Sequence, residues 1–202
     1  MYCPPAFEVT DRAAMLRLVA AHPLATLITA GEDGPCANLV PFQIDPDGAH
    51  IRAHLARANP QLTHLRAGQI ALAVFHGQSA YVSPNWYASK AAHGKVVPTW
   101  NYMTVQIRAR AEVHEGADWL RAQVSALTDR HEAAQPAPWQ LTDAPERYVS
   151  GQLRGIVGIS MALGDMRGKY KASQNRDAAD RAGVTRALAG DTPELAQITG
   201  NI

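Results

Sequence analysis

The residues of this chain best suited to contact a flat ligand are concentrated between Tyr81 and Tyr102. This segment holds two of the four Trp, three of the six Tyr, two Pro and two Asn, although only 6% of the chain is aromatic. Each proline fixes its own φ and favours extended geometry in the residue before it, so the loop can hold flat rings in place. A planar heteroaromatic ligand such as a flavin needs apolar walls and a few polar groups at its edge. The segment therefore predicts either a ligand wall or a loop that fills a barrel end with bulky side chains.

Two further segments offer side chains that could bind phosphate, which matters because the chain has no glycine-rich phosphate loop. In HLARANPQ (54–61), Arg57 could make a bidentate contact, Asn59 could add a hydrogen bond, and the helix predicted to start at Pro60 offers free N–H groups. In GKYKASQNR (168–176), three cations stand beside Ser, Gln and Asn, which suits an anion or a flavin edge. The alternatives are a strand-to-helix turn capped by Asn59 and a solvated cationic tail.

Motifs for metal binding and nucleophilic catalysis are incomplete. HEGAD (114–118) and HEAAQ (131–135) begin like a zinc-protease helix, but they end in Asp and Gln where the motif needs a second His. His50 and His54 are four residues apart in a predicted strand, where they would not converge on one ion. Ser79 lacks the second glycine of a nucleophile elbow. We therefore predict no metal site and leave the catalytic residues unassigned.

The composition predicts one globular domain without a strong charge preference. The chain has 202 residues, 47% of them hydrophobic, and a formal net charge of +1 from 19 basic and 18 acidic residues. This balance gives no general attraction to nucleic acid or to an anionic membrane surface. No apolar run approaches the roughly 18 residues of a membrane-spanning helix, and two cysteines make no disulfide framework. We expect a cytoplasmic protein without membrane contact.

The hydrophobic pattern predicts short strands with helices set between them. The connections are too short for the crossover helices of a parallel sheet, so a mostly antiparallel α+β barrel or sandwich is expected. Residues 1–202 are predicted to form a single domain with a helical C-terminal extension from about 165. The predicted strands are 25–29, 37–44, 50–55, 70–76, 80–83, 105–113 and 156–163, and the main predicted helices are 11–21, 60–67 and 118–132.

Several motifs, taken together, resemble the PaiB-type family of FMN-binding negative transcriptional regulators. They are HLARANPQ (54–61), YVSPNWY (81–87), Lys90, VPTWNY (97–102) and KYKASQNR (169–176), with Met1, Tyr2, Pro4 and Phe7 at the N-terminus. The resemblance covers nearly the whole chain. It implies the FMN-binding split β-barrel, an antiparallel Greek-key fold, and a homodimer with FMN between the subunits. The chain departs from the family pattern at Gln106 and Ala109, so no histidine of that strand is expected to contact the flavin.

The resemblance also implies which residues contact FMN. The strand from Asn38 to Pro41 should pass along the isoalloxazine edge, Trp86 and Tyr87 should form part of the wall, and Trp100 with Asn101 should come from the partner subunit. The full set of implied contacts is Asn38, Leu39, Val40 and Pro41 at the ring, His54, Arg57, Asn59 and Gln61 around the ribityl phosphate, Trp86, Tyr87, Trp100 and Asn101 at the wall, and Lys169, Gln174 and Asn175 as further contacts.

Three functions remain open from the sequence. The first is an FMN-binding homodimer of the regulator type, the second is a flavin-dependent oxidoreductase or flavin reductase acting on a small molecule, and the third is a flavin-free structural dimer. Redox chemistry would belong to the flavin, so paired carboxylates are not required. Direct DNA binding is expected to be weak and unselective, because neither a helix-turn-helix nor a basic recognition helix is evident.

Overall fold

The structure is a computed structural model that describes residues 1–32 and 34–201. The turn predicted at GEDG (31–34) includes Asp33, which lies outside the described residues. Within them, the strands are β1 (Glu8–Val9), β2 (Leu24–Gly31), β3 (Gly34–Pro41), β4 (Gln43–Ile44), β5 (His50–Ala56), β6 (Ile70–Val82), β7 (Thr99–His114), β8 (Ile156–Ala162) and β9 (Asp165–Lys171). The α-helices are α1 (Arg12–Ala21), α2 (Gln61–Arg66), α3 (Ser89–His93), α4 (Ala117–Glu132), α5 (Glu146–Arg154), α6 (Ala178–Leu188) and α7 (Pro193–Gly200).

The strands pair in an antiparallel and non-sequential order. Hydrogen bonding links them as β3-β2-β6-β7-β8-β5-β4, and β9 pairs with both β1 and β7. The pairs β1–β9, β2–β3, β2–β6, β4–β5, β5–β8 and β7–β8 are all antiparallel. This arrangement confirms the predicted mainly antiparallel α+β fold.

The chain divides into two compact units. Unit 1 comprises Met1–His22, Phe75–Gln106 and Arg167–Ile202, and unit 2 comprises Pro23–Val74 and Ile107–Met166. Strands β6 and β7 contribute residues to both units.

The core of unit 2 consists of buried side chains from its strands and from two helices. On β5, Ile51, Ala53 and Leu55 are buried while the residues between them are more exposed, the period of two expected of a half-buried strand. Strand β8 is buried at five successive positions, 157–161. A cluster of Leu120 on α4 with Val149 and Leu153 on α5 completes this core. The predicted strands 25–29, 50–55 and 156–163 therefore correspond to β2, β5 and β8.

Unit 1 contains the chain's first helix and the two C-terminal helices. Asp11, where the predicted helix 11–21 begins, caps α1 by accepting a hydrogen bond from the Ala13 N–H at 2.8 Å. The extension expected to be helical from about 165 instead begins with strand β9, which pairs with β1 at Glu8↔Lys169, and the helices start only at Ala178. The expectation failed because charged residues in 165–171 masked a strand whose partner lies more than 150 positions earlier.

The strands near the aromatic segment are longer than the sequence suggests. We expected a break between two strands at Gly77, but this residue lies inside the continuous strand β6. A Cβ at this position would be 3.0 Å from Met103 Cβ and 3.1 Å from Leu18 Cδ1. The glycine therefore permits close packing rather than a turn. Strand β7 starts at Thr99 and includes Trp100 to Tyr102, which were expected in a loop. The described residues include no helix long and apolar enough to cross a membrane.

Candidate functional site

Strand β3, which carries the residues expected at the isoalloxazine edge, ends the strand order of the sheet. It pairs with β2 and with no other strand in the described part of the chain, so one of its backbone edges has no strand partner. Leu39 is 67% exposed, whereas Val40 is buried. A strand edge of this kind presents free N–H and C=O groups to whatever lies beside it. That geometry suits the polar edge of a planar ring.

Gln61 joins α2 to strands β2 and β3 from a fully buried position. Its Nε2 donates to the Leu27 carbonyl at 2.9 Å and to the Cys36 carbonyl at 3.2 Å. Its Oε1 accepts from Asn38 Nδ2 at 3.0 Å. The structure thus brings together two of the predicted site residues, Asn38 and Gln61, and the buried amide fixes the side chain of Asn38 on β3.

Asn59 caps the start of α2. Its Oδ1 accepts a hydrogen bond from the Gln61 backbone N–H at 2.9 Å. This is the cap that the sequence offered as an alternative to phosphate binding, and it leaves the Asn59 side-chain amino group available. The assignment of Asn59 to the flavin phosphate stays a prediction.

Arg57 uses its guanidinium within unit 2. Nε donates to the Arg154 carbonyl at 2.8 Å, Nη2 donates to the Ile156 carbonyl at 3.0 Å, and Nη1 donates to Glu115 at 2.8 Å. Arg66 donates to the same carboxylate at 2.7 Å, and the hydrogen bonds from both arginines lower the pKa of Glu115. Arg57 also lines a cavity of about 370 Å³. A phosphate at Arg57 would therefore have to share the guanidinium with these partners, and the contact stays a prediction.

His54 faces a different environment from Arg57. Its Nδ1 lies 2.8 Å from Oε1 of Gln123, a fully buried residue of α4. Gln123 Nε2 has no hydrogen-bond partner among the residues that the structure describes. His54 also lines a mainly apolar cavity of about 270 Å³ together with Trp139 and Tyr148. The contact between His54 and the ribityl phosphate stays a prediction.

The aromatic segment is held in unit 1 by short helices and by α6. Ser83 caps a turn of 3₁₀ helix at 84–86, which carries Trp86. Gly183 of α6 lies so close to this turn that a Cβ there would be 1.9 Å from the Trp86 carbonyl oxygen. Tyr81 and Trp100 make an edge-to-face pair with ring centroids 6.2 Å apart, and both rings are about half exposed. The segment therefore presents aromatic surface, and it does not bury these two rings in a core.

Beside this segment, a cavity of about 120 Å³ brings several predicted residues together. It is lined by Tyr87, Val97, Pro98, Thr99, Asn101, Lys171, Ser173, Asn175 and Arg176. Lys171 Nζ donates to Thr99 Oγ1 at 2.5 Å, and the Arg176 guanidinium lies 4.6 Å from the centroid of the Tyr87 ring. Burial lowers the pKa of Lys171, and the charges of Lys169 and Arg176 lower it further. Tyr87, Asn101 and Asn175 thus share one cation-rich pocket.

Two other residues of the cation-rich segment are used differently. Lys169 is buried, donates to the Tyr2 carbonyl at 3.3 Å and lies 5.2 Å from the centroid of the Tyr102 ring. Gln174 folds back on its own turn, because Oε1 accepts from the Ala172 N–H at 2.7 Å and Nε2 donates to the Tyr170 carbonyl at 2.5 Å. Neither side chain lines the cavity, and both flavin assignments stay predictions.

Sequence reasoning did not single out the pairing of Asn101 with Ser173. Asn101 Nδ2 donates to Ser173 Oγ at 2.9 Å, and both residues are buried. Ser173 has φ of 63°, the left-handed region, and no other non-glycine residue among 1–32 and 34–201 has a positive φ. Serine rarely adopts this conformation, so the sequence carries no signal for it beyond the cluster of short polar side chains.

A possible group of metal ligands lies away from these residues. Asp45, Asp47 and His50 have potential ligand atoms within 4.8 Å of one another. Asp45 also forms an ion pair with Arg52, and Asp47 is exposed. Exposed acidic groups of this kind are common on protein surfaces, and we assign them no metal.

Comparison with known proteins identifies related sequences and folds. The family model described as "Putative FMN-binding domain" matches residues 1–165. The protein named protease synthase and sporulation protein PAI 2, from Bacillus subtilis strain 168, is 30% identical over 190 residues, which cover 93% of this chain and 89% of that protein.

Two solved structures are similar in fold. The FAD and heme binding protein from Mycobacterium smegmatis has a TM-score of 0.65 and 21% identity, covering 87% of this chain and 78% of that one. The flavocytochrome Anf3 from Azotobacter vinelandii has a TM-score of 0.63 and 14% identity, covering 87% and 75%. These likenesses, together with the antiparallel strand order, confirm the predicted split-barrel fold.

Proposed function

Because the chain belongs to the PaiB-type family of FMN-binding domains, we propose that it binds FMN and acts as a homodimer of the regulator type. The observation that carries this proposal is the free edge of β3 in unit 2. It combines unpaired backbone groups with the exposed side chain of Leu39, as a flat ring with one polar edge requires.

The residues of β3 fit a flavin edge in chemistry as well as in exposure. The backbone N–H groups of Asn38, Leu39 and Val40 and the C=O groups from Asn38 to Pro41 can serve the alternating acceptors and donors of the isoalloxazine pyrimidine ring. The buried amide of Gln61 keeps the Asn38 side chain in place, so the strand is organised before a ligand binds. A bound flavin would supply the redox chemistry, while these residues bind and orient it.

Arg57 remains the proposed contact for the flavin phosphate in unit 2. A charge-assisted hydrogen bond contributes about 1.5–3 kcal/mol, so Arg57→Ala should weaken FMN binding about ten- to a hundredfold and leave riboflavin binding nearly unchanged. Fluorescence titration of both flavins measures this difference. Arg66→Ala is the matched control, because it removes the other arginine bonded to Glu115. Equal losses for FMN and riboflavin would reject the phosphate assignment.

The exposed apolar side chains of the aromatic segment support a homodimer. Val97 and Trp100 are 65% and 56% exposed, and Tyr81 packs on Trp100. Exposed apolar patches commonly mark protein interfaces. Sedimentation of the wild type should show a dimer at micromolar concentration, and Trp100→Glu should shift it towards monomer. Trp139→Glu, at an exposed tryptophan of unit 2, should not. A folded wild-type monomer would contradict the proposal.

Two measurements separate the regulator from the oxidoreductase. Anaerobic addition of NADPH should leave the absorbance of a sensing flavin unchanged, whereas bleaching of the flavin band favours the flavin-dependent oxidoreductase. A gel shift at physiological salt, with a promoter fragment and a scrambled competitor, tests direct DNA binding. We expect weak and unselective binding, because DNA affinity depends on clustered basic residues and the net charge is only +1. A nanomolar, sequence-selective complex would instead establish a direct repressor.

A further inference from the structure

We propose that unit 1 contains an oxyanion-binding pocket, formed around Lys171 and Arg176, that takes a phosphate monoester or a carboxylate. The pocket is the cavity of about 120 Å³ described above. Cavities that hold whole drug-sized ligands measure roughly 300–1,000 Å³, so this one suits a single anionic group. We call it the Lys171 pocket.

The positive charge of the Lys171 pocket is not neutralised by a carboxylate in its lining. The described residues of its lining include Lys171 and Arg176 but no Asp or Glu. In the described part of the chain, neither cation has an acidic oxygen within 4.0 Å. The nearby acid, Asp180, uses its two oxygens on the N–H and the hydroxyl of Ser89, at 2.9 and 2.7 Å. An incoming anion would therefore meet cations that no ion pair already occupies.

Arg57 shows what a neutralised arginine looks like in the same protein. Its three guanidinium nitrogens all donate to protein acceptors, and one of those acceptors is the carboxylate of Glu115. The Arg176 guanidinium, in contrast, makes no hydrogen bond among the described residues and lies over the face of Tyr87. A ring in this position holds the guanidinium in place without using its N–H donors.

One residue of the pocket lining, Tyr87, carries a buried hydroxyl. Tyr87 is 3% exposed, and its buried hydroxyl oxygen makes no hydrogen bond to the described part of the chain. Buried polar groups are nearly always hydrogen-bonded, so one that lacks a partner needs an explanation. An oxyanion accepts hydrogen bonds only, and it matches a pocket whose two cations can donate.

The backbone of the pocket is held in a conformation that a serine adopts only under constraint. Ser173, with φ of 63°, is fixed by the hydrogen bond from fully buried Asn101. Strained residues of this kind persist where the surrounding structure over-determines them, and they concentrate at ligand sites. Here the strained turn stands between Lys171 and Arg176, and it brings both cations to one cavity.

The bound oxyanion has two possible sources with the same chemistry. It is either the phosphate of FMN, in which case the inference rests on the proposed function and this pocket replaces Arg57 as the phosphate contact, or the anionic group of a separate ligand. Competition distinguishes them. Inorganic phosphate should compete with FMN in the first case, and it should bind equally well to protein saturated with FMN in the second.

The test is calorimetric titration of the full chain, free of flavin and saturated with FMN, with inorganic phosphate in a phosphate-free buffer. Arg176→Gln should weaken phosphate binding about tenfold or more, the loss expected for one charge-assisted hydrogen bond. Arg176→Lys should recover part of it. Arg186→Gln, which removes the same charge from an exposed site on α6, should leave it unchanged. Circular dichroism checks that each variant is folded.

Three results would overturn the inference. They are no phosphate binding in either form of the protein, equal affinity in Arg176→Gln and wild type, and equal losses in Arg176→Gln and Arg186→Gln. Riboflavin, which has no phosphate, reports separately on the flavin site. If riboflavin binds and phosphate does not, only the Lys171 pocket fails. If phosphate binds and neither FMN nor riboflavin does, the proposed function fails and the pocket stands.

Discussion

Replacing Gln61 tests whether this buried amide organises the strand proposed to meet the flavin. Gln61 is fully buried, and its side chain makes three hydrogen bonds, two to the carbonyls of Leu27 and Cys36 and one from Asn38. Gln61→Leu replaces the amide with an apolar side chain of similar size and removes all three bonds. We expect the variant to fold with reduced stability and with Asn38 released from its anchor.

The magnitude follows from the number of bonds. A neutral hydrogen bond contributes about 0.5–1.5 kcal/mol, so the loss of three should lower the free energy of unfolding by about 2–4 kcal/mol. That is a large share of the roughly 5–15 kcal/mol that stabilises a typical domain. Gln61→Glu should be worse than Gln61→Leu at neutral pH, because a carboxylate would set acceptor oxygens against two carbonyls, and it should recover partly in acid, where the carboxyl can donate.

Urea unfolding followed by tryptophan fluorescence measures these changes. With an m-value of about 2 kcal/mol per molar urea, the expected loss shifts the midpoint by about 1–2 M. Gln152→Leu, an exposed residue on α5, is the matched control and should change stability by less than about 0.5 kcal/mol. If Gln61→Leu proves as mild as this control, the hydrogen bonds of Gln61 do not stabilise the fold and the reasoning is refuted.

Three further predictions concern packing and pH. Gly158→Ala should cost about 1–3 kcal/mol in urea unfolding, because its Cβ would lie 2.1 Å from Trp119 Cζ3, and an unchanged midpoint would contradict this. Burial lowers the pKa of His114 below 6.5, so the stability that neutral His114 contributes is complete above pH 6.5 and is lost as the pH falls. His114→Asn should therefore reduce the pH dependence of the melting temperature between pH 7.5 and 5.5. An unchanged pH dependence in the variant would count against this prediction. The Tyr170 hydroxyl donates to the Ala14 carbonyl, and burial raises its pKa from 10.0 to about 12. The free energy of unfolding should therefore be unaffected below pH 10 and should fall by about 1–2 kcal/mol as the pH approaches 12. Tyr170→Phe should lack this alkaline loss, and a loss of the same size in the variant would exclude Tyr170 as its cause.

Much of the fold could be predicted because it depends on local patterns. The hydrophobic pattern predicted a strand at 105–113, and these residues lie in β7. Asp11, the first residue of the predicted helix 11–21, caps α1. Strand ends were harder, as at Gly77, because a glycine signals either a turn or close packing, and only its neighbours Met103 and Leu18 decide between them.

The sequence by itself determined the family, the antiparallel α+β class and the segments that carry the aromatic and cationic side chains. It could do so because periodicity, proline and capping residues act through near neighbours. Only the tertiary structure decided which cations are neutralised. Arg57 meets Glu115 from 58 positions away, while Arg176 stacks on Tyr87 and has no carboxylate of the described residues within 4.0 Å. The same holds for the turn at Ser173, whose left-handed backbone depends on a buried amide 72 positions earlier. Charge compensation and backbone strain are set by residues that the chain brings together from a distance, and no local pattern encodes them.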